Sequence, residues 1–366
     1  MQLGILKELS DNRVSISPES VKKLSKSYEI VVEKDAGISA FFSNEDYEAV
    51  GAKSTSRDEL LKNCDIVFSI NPPSLDDLGL MKKNAIIVSQ FSPFNQPEIA
   101  EQIAQLGISA LSMDMIPRTT LAQAMDVLSS MASIAGYRAV LKASDYFPRY
   151  IPMLSTAAGT IPPAKALILG AGVAGLQAIA TAKRLGAVVE VFDTRAAAKE
   201  EVMSLGAKFI EVEGATDDKA AGGYAVEQTE DYKKKQAELI AEKASKADII
   251  ITTALLRGRP APLLLPKSTL DNMKPGSVIV DLAAITGGNC EVTENKKVVT
   301  YKGISVIGDS NLSEEISQHA SILFGKNIEN YIKILFTESG ELDMENELVS
   351  ASCLAHQNEN IYKKNN

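Results

Sequence analysis

Short apolar runs rich in β-branched residues recur along this chain, with helical patterns between most of them. "LGIL" (3–6), "EIVVE" (29–33), "DIVFSI" (65–70), "AIIVS" (85–89) and "ISAL" (108–111) read as strands. A representative intervening helix is "PEIAEQIAQLG" (97–107). Alternation of this kind predicts a parallel sheet covered by helices on both faces. A longer helical pattern follows over roughly 119–145. A second series of runs then begins, "ALILG" (166–170), "VVEVFD" (188–193), "KFIEVE" (208–213), "DIIITT" (248–253), "SVIVDL" (277–282) and "ISVIG" (304–308). Two α/β domains are therefore expected, each a Rossmann-like, doubly wound parallel sheet. The expected boundaries are 1–126 completed by 310–366 for the first, and 127–309 for the second. The helical pattern "ASILFGKNIENYIKILF" (320–336) would return to the first domain, and the polar end "NENIYKKNN" reads as frayed.

The second series opens on the most informative stretch, "ALILGAGVAGLQAIATAKRLGAVVEVFDTR" (166–195). Gly170, Gly172 and Gly175 form G-x-G-x-x-G directly after a strand and at the start of a helix. Gly186 closes that helix, and the next strand ends in Asp193. Each part has a physical reason. Gly170 permits the tight turn, Gly172 lets a pyrophosphate approach the backbone, and Gly175 lets helix and strand pack closely. The helix N-terminus supplies partial positive charge for phosphates. Asp193 lies 23 residues beyond Gly170, close to the ~20 at which an acid meets the adenosine ribose diol. A carboxylate there favours NAD over NADP, and Arg195 two residues later softens that preference.

Composition narrows the field. A net charge of -9 argues against a nucleic-acid or anionic-membrane surface, which would need a basic face. Cys64, Cys290 and Cys353 are odd in number and far apart, which predicts neither a disulfide framework nor a metal site and fits a reducing compartment. The start "MQLGILKELSDNR" lacks the pattern of a signal peptide, and no apolar run reaches the ~18 residues that span a bilayer. A cytoplasmic protein without direct membrane insertion is expected.

One stretch resists a plain structural reading. In "RTTLAQAMDVLSS" (118–130), Arg118, Gln123, Asp126 and Ser129 sit among Ala122, Ala124, Met125, Val127 and Leu128. Either these polar residues form a solvated stripe, or they face something polar other than water. Gln123 and Asp126 share a helical face, but Arg118 does not continue it at helical spacing.

"PRTTLAQAMDVLSSMASIAGYRAVL" (117–141), the fingerprint above, "ITTALLRGRPAPLLL" (251–265) and "MKPGSVIVDLAAITGGNCE" (273–291) together resemble one family. It is the NAD(H)-binding component of proton-translocating nicotinamide nucleotide transhydrogenase, within the superfamily that includes alanine dehydrogenase. The resemblance runs from "GILKE" to about residue 345. It implies that Arg118, Gln123, Asp126 and Ser129 form a loop over the nicotinamide end of NAD, with Arg118, Gln123 and Asp126 in the catalytic role. Gln123 would supply a donor and an acceptor to the carboxamide. Arg118 and Asp126 could pair with each other. It further implies a nucleotide cleft between the two domains, with cofactor contacts at Val173, Asp193, Thr194, Arg195, Gly223, Gln236 and Leu255, and at Tyr224 on a loop that closes over nucleotide.

Hydride transfer is the cofactor's chemistry, whereas an amino-acid dehydrogenase must also hold a carboxylate and move a proton. Against the dehydrogenase pattern, Ser69 and Asn71 stand where lysines would lie, and "AIIVSQFSPFNQP" (85–97) holds no histidine. Ile285 stands at the aspartate position. His319 reads as a plain helix residue, and His356, in the polar tail, carries no assigned role. Arg13 matches a substrate-binding arginine but is equally suited to a structural charge. These absences favour a transhydrogenase, which needs no acid or base at the carbon. The resemblance implies a separately encoded, homodimeric subunit, peripherally associated with an inner-membrane complex. Its partners would be a membrane-spanning subunit and a subunit that binds NADP(H). An alanine dehydrogenase-like oxidoreductase and a non-catalytic NAD-sensing module are the alternatives.

Overall fold

The computed structural model describes residues 1–212, 229–255 and 258–365. In chain order its strands are β1 (Gln2–Ile5), β2 (Glu29–Glu33), β3 (Lys53–Thr55), β4 (Ile66–Phe68), β5 (Ile86–Ser89) and β6 (Ser109–Ser112). Then come β7 (Leu154–Thr156), β8 (Gly159–Ile161), β9 (Lys165–Leu169), β10 (Val188–Phe192), β11 (Lys208–Ile210) and β12 (Ile249–Thr252). The last are β13 (Val278–Asp281), β14 (Lys297–Tyr301), β15 (Ile304–Gly308), β16 (Cys353–His356) and β17 (Glu359–Asn360). The chain divides into two compact units, Met1–Met131 with Glu314–Asn366, and Ala132–Ser313.

Among the described residues, the sheet of the first unit has the order β17-β16-β6-β5-β4-β1-β2-β3. Strands β1 to β6 are parallel, and the order reverses direction at β1, as in a doubly wound sheet. Strand β16 pairs antiparallel with β6, and β17 with β16. The tail is therefore not frayed up to this point. Leu354 and Ala355 are fully buried in the core that Ile87, Ile103 and Ala110 help to form, and this short apolar "CLA" supplies the anchor. His356, read as a tail residue, sits on β16 with Nδ1 2.9 Å from the Ser109 hydroxyl.

The second unit has the order β11-β10-β9-β12-β13-β15-β14, parallel except for β14. Side chains of one strand alternate between two cores. Ala166 and Ile168 join Ile251, Val280, Ala178 and Ile179 on one face. Leu167 and Leu169 join Ile250, Ile279, Ile240 and Leu270 on the other. A strand buried on both faces reads as an unbroken apolar run, and each buried Leu or Ile contributes roughly 1.5–3 kcal/mol. Strands β3, β7, β8 and β14 carry no such run, and the sequence reading passes over them.

The helical pattern at 119–145 begins later than its periodicity suggests. The helix is Val127–Tyr146. Before it, Ala122 N–H bonds Thr119 O at 3.1 Å and Met125 N–H bonds Ala122 O at 2.8 Å, closing separate turns. The Asp126 carboxylate then accepts the Ser129 amide at 2.9 Å and its hydroxyl at 2.6 Å. That is an N-cap, which marks the true helix start.

Candidate nucleotide site

The loop after β9 is built on glycine where the backbone demands it. Gly170 has φ +103°, a conformation side chains rarely tolerate. Its amide donates to Phe192 O at 2.8 Å, and its carbonyl accepts the Thr253 hydroxyl at 3.2 Å. A Cβ on Gly175 would overlap the carbonyl oxygen of Gly170. A Cβ on Gly172 would meet nothing within 4 Å, and its φ of -74° suits any residue. Nothing inside the protein therefore requires glycine at 172, so the open space there fits an external group close to the backbone. The helix Val173–Arg184 starts at this point. Its first internal bond runs from Leu176 N–H to Gly172 O at 2.8 Å. The preceding amides have no intrahelical acceptor, the condition for holding phosphate. Val173 is itself 41% exposed. Gly136 of the long helix lies so close to Ala174 that a Cβ there would overlap the Ala174 carbonyl.

Asp193 follows β10. Its Oδ2 accepts the Ala171 amide at 2.7 Å and Arg195 Nη2 at 3.0 Å. Its Oδ1 accepts the Arg195 amide at 2.8 Å and Arg195 Nε at 3.0 Å. The hydrogen bond that the guanidinium donates to Asp193 raises the Arg195 pKa above its ordinary value, against burial. Thr194 is half-buried beside this pair, Gln236 is half-buried on the helix Glu230–Lys246, and Leu255, after β12, is 54% exposed. Gly223 and Tyr224 lie outside the described residues.

Two residues that the sequence reading passed over shape the loop after β12. Asn289 is fully buried. Its Oδ1 accepts the Ala254 amide at 3.1 Å, and its Nδ2 donates to Ala254 O at 2.9 Å and Pro262 O at 2.8 Å. Asp281, also fully buried, accepts the amides of Asn289 at 2.7 Å and Cys290 at 3.0 Å, and the Thr293 hydroxyl at 2.7 Å. An Asp at a strand end and an Asn after "GG" were the available signals. The three cysteines are buried, and burial pushes the Cys290 thiol up to about 11.

In the first unit, Arg118 and Gln123 are exposed, whereas Asp126 and Ser129 are half-buried and engaged with each other. Gln123 begins a one-turn 3-10 helix, Gln123–Met125, with Ala122 and Met125 buried beneath it. Asn327 Nδ2 and Asn330 Nδ2 donate to the Ala124 carbonyl at 2.9 and 3.3 Å, holding this loop from the helix Ser317–Ile332.

The first unit also contains a buried polar cluster. Arg13 Nε donates to Asp11 Oδ1 at 2.9 Å and Nη2 to Oδ2 at 2.5 Å, with side chains 8% and 1% exposed. Asn71 Nδ2 donates to Glu8 at 3.0 Å and to Asp11 at 3.1 Å. Burial raises the Glu8 pKa, outweighing the hydrogen bonds that oppose it. Burial also acts upward on Asp11, but the Arg13 hydrogen bond and charge hold its carboxyl below the usual range. Ile285, in the second unit, is 63% exposed.

Family models described as "Alanine dehydrogenase/PNT, N-terminal domain" and "Alanine dehydrogenase/PNT, C-terminal domain" match residues 4–135 and 139–363. The chain is 42% identical over 368 residues to the first part of the NAD(P) transhydrogenase alpha subunit of Rhodospirillum rubrum, an alignment covering 97% of this chain and 96% of that one. A crystal structure of transhydrogenase from Sinorhizobium meliloti is similar at a TM-score of 0.91 and 42% identity, over 98% of this chain and 100% of that one. An L-alanine dehydrogenase structure reaches a TM-score of 0.83 at 22% identity, covering 100% and 99% of the two chains, a likeness of fold alone.

Proposed function

The chain belongs to the alanine dehydrogenase/PNT family, and from that membership we propose that it is the NAD(H)-binding component of a proton-translocating transhydrogenase. It passes hydride between its own NAD(H) and NADP(H) bound on a partner subunit, and a membrane-spanning partner couples the transfer to proton movement. Among the described residues no helix is long and apolar enough to cross a membrane. We place its action on the cytoplasmic side, peripheral to the membrane complex.

A reduced nicotinamide, when bound, supplies the hydride. The chain's own residues bind and orient it. Gly170, Gly172, Val173 and Gly175 take the pyrophosphate, Asp193 receives the adenosine ribose with Thr194 and Arg195 flanking it, and Gln236 and Leu255 meet further parts of the nucleotide. Gln123 orients the carboxamide, with Arg118, Asp126 and Ser129 on the same loop. The dehydrogenase alternative is disfavoured by one observation above the others. Arg13, the cation an amino-acid carboxylate would need, is already engaged by Asp11, and Asn71, standing where a lysine would lie, is held by Glu8 and Asp11. Freeing Arg13 would leave a buried carboxylate unpaired, a cost of about 3–5 kcal/mol.

Two measurements test this reading. By calorimetric titration the purified chain binds NADH well and NADPH poorly, and equal affinities would overturn the assignment. Alone it reduces no NAD with alanine at any pH, whereas with an NADP(H)-binding transhydrogenase component it transfers hydride between nicotinamide analogues. Alanine-dependent reduction by the isolated chain would favour the dehydrogenase instead.

We also propose that the protein is a homodimer. The hairpin β7–β8 and its approach leave Tyr150, Met153 and Ile161 exposed at 56%, 65% and 45%, an apolar surface that pairing would cover. Equilibrium sedimentation gives twice the chain mass, and Met153→Asp with Ile161→Asp reduces it. A monomeric parent protein would refute the proposal.

A further inference from the structure

The acid that should receive the adenosine ribose is already engaged by its own neighbour. An ionised carboxylate offers about four lone-pair positions. In Asp193 these face the Ala171 amide, the Arg195 amide, Arg195 Nε and Arg195 Nη2, at 2.7 to 3.0 Å. The two backbone donors fix the carboxylate against the glycine loop and the turn after β10. The two guanidinium donors are different in kind, since they belong to a side chain 29% exposed, on a carboxylate only 8% exposed. They can leave without unfolding anything. A ribose diol needs acceptor positions of its own, and the guanidinium holds the two that a side-chain rotation would free.

We propose that Arg195 is a specificity-determining side chain, a displaceable occupant of Asp193 that the adenosine ribose of NAD(H) must evict in order to bind. This inference rests on the NAD(H) reading given above. It has three consequences. The pair holds NADH affinity below what a bare Asp193 would give. The 2′-hydroxyl contributes little net affinity while Arg195 is present, because its bond to Asp193 replaces one that was already made. The evicted guanidinium also partly offsets the repulsion between Asp193 and a 2′-phosphate, so it narrows the discrimination against NADPH. A fork that fits a carboxylate through two nitrogens is a property of arginine and not of lysine, so the device is specific to this residue.

The test is fluorescence titration of the intact protein with NADH, NADPH and the NADH analogue lacking the adenosine 2′-hydroxyl. Arg195→Ala tightens NADH roughly three- to tenfold, as a partly exposed charged pair is no longer broken. The ratio of NADH to 2′-deoxy analogue affinity rises, and NADH-to-NADPH discrimination widens. Arg195→Lys retains the cation without the fork and shows the same changes in smaller measure, which covers an Arg195→Ala protein that folds poorly. Unchanged or weaker NADH binding in both variants, with an unaltered analogue ratio, overturns the inference while leaving the NAD(H) reading intact. Failure of the parent protein to bind NADH would sink that reading and this inference with it.

Discussion

Replacing Gln123 with alanine lowers hydride transfer about a hundredfold while NADH affinity changes little, because transfer depends on a near-attack distance of roughly 3–3.5 Å and a misplacement of about 1 Å costs that much. In the proposed site the binding energy would come mainly from the other end of the nucleotide, at Gly172, the helix start and Asp193, which this change leaves alone. The structure makes the substitution clean. Gln123 is exposed, and the loop is held from below by buried Ala122 and Met125 and by Asn327 on the Ala124 carbonyl. Asp126 is a different case, since its carboxylate caps the helix Val127–Tyr146 through Ser129. Asp126→Ala would lose about 1 kcal/mol of cap energy along with any catalytic role. Asp126→Asn keeps the acceptor and isolates the charge. Stopped-flow transfer in the reconstituted complex, alongside NADH titration, checks both variants. A Gln123→Ala rate equal to the parent's would reduce this loop to a helix-capping surface.

The glycine loop should separate two effects that the sequence motif runs together. Gly172→Ala leaves thermal stability unchanged, since the added Cβ has open space and an ordinary backbone conformation. It nonetheless weakens NADH roughly ten- to a hundredfold, because overpacking against the pyrophosphate costs about 1–3 kcal/mol and each ~1.4 kcal/mol is tenfold. Gly175→Ala loses affinity and stability together. Its Cβ would overlap the Gly170 carbonyl, and that oxygen belongs to a turn pinned by Thr253 and Phe192. Backbone cannot yield as a side-chain tip can, so the cost reaches or exceeds the upper end of that range. Thermal melts and NADH titrations of the two variants provide the comparison. Equal melting temperatures would remove Gly175 from the packing argument, and full NADH affinity in Gly172→Ala would remove the pyrophosphate from this loop.

The sequence by itself determined the elements whose signal is local. β9, β12 and β13 are apolar runs buried on both faces, β10 and β15 are apolar apart from Glu190 and Ser305, and the glycine fingerprint carries its own turn and helix start, so their type and order are written in consecutive residues. The parallel, doubly wound plan of both units follows from that alternation. Tertiary structure alone decided what depends on partners far along the chain. The polar strand β3 and the strand β16 exist because a neighbouring edge offers backbone partners. The long helix starts at Val127 because Asp126 finds Ser129 and because Ala124 is tied to Asn327, 203 residues away. Nor does the sequence display how its charges are spent. Arg13 rests on Asp11, Asn71 reaches Glu8 across 63 positions, and Asn289 clasps Ala254 across 35. Each of these is a buried polar group satisfying another. Periodicity can show that such a residue is buried or exposed, but only the folded chain brings donor and acceptor within 3 Å and so decides which carboxylates and cations remain for a ligand.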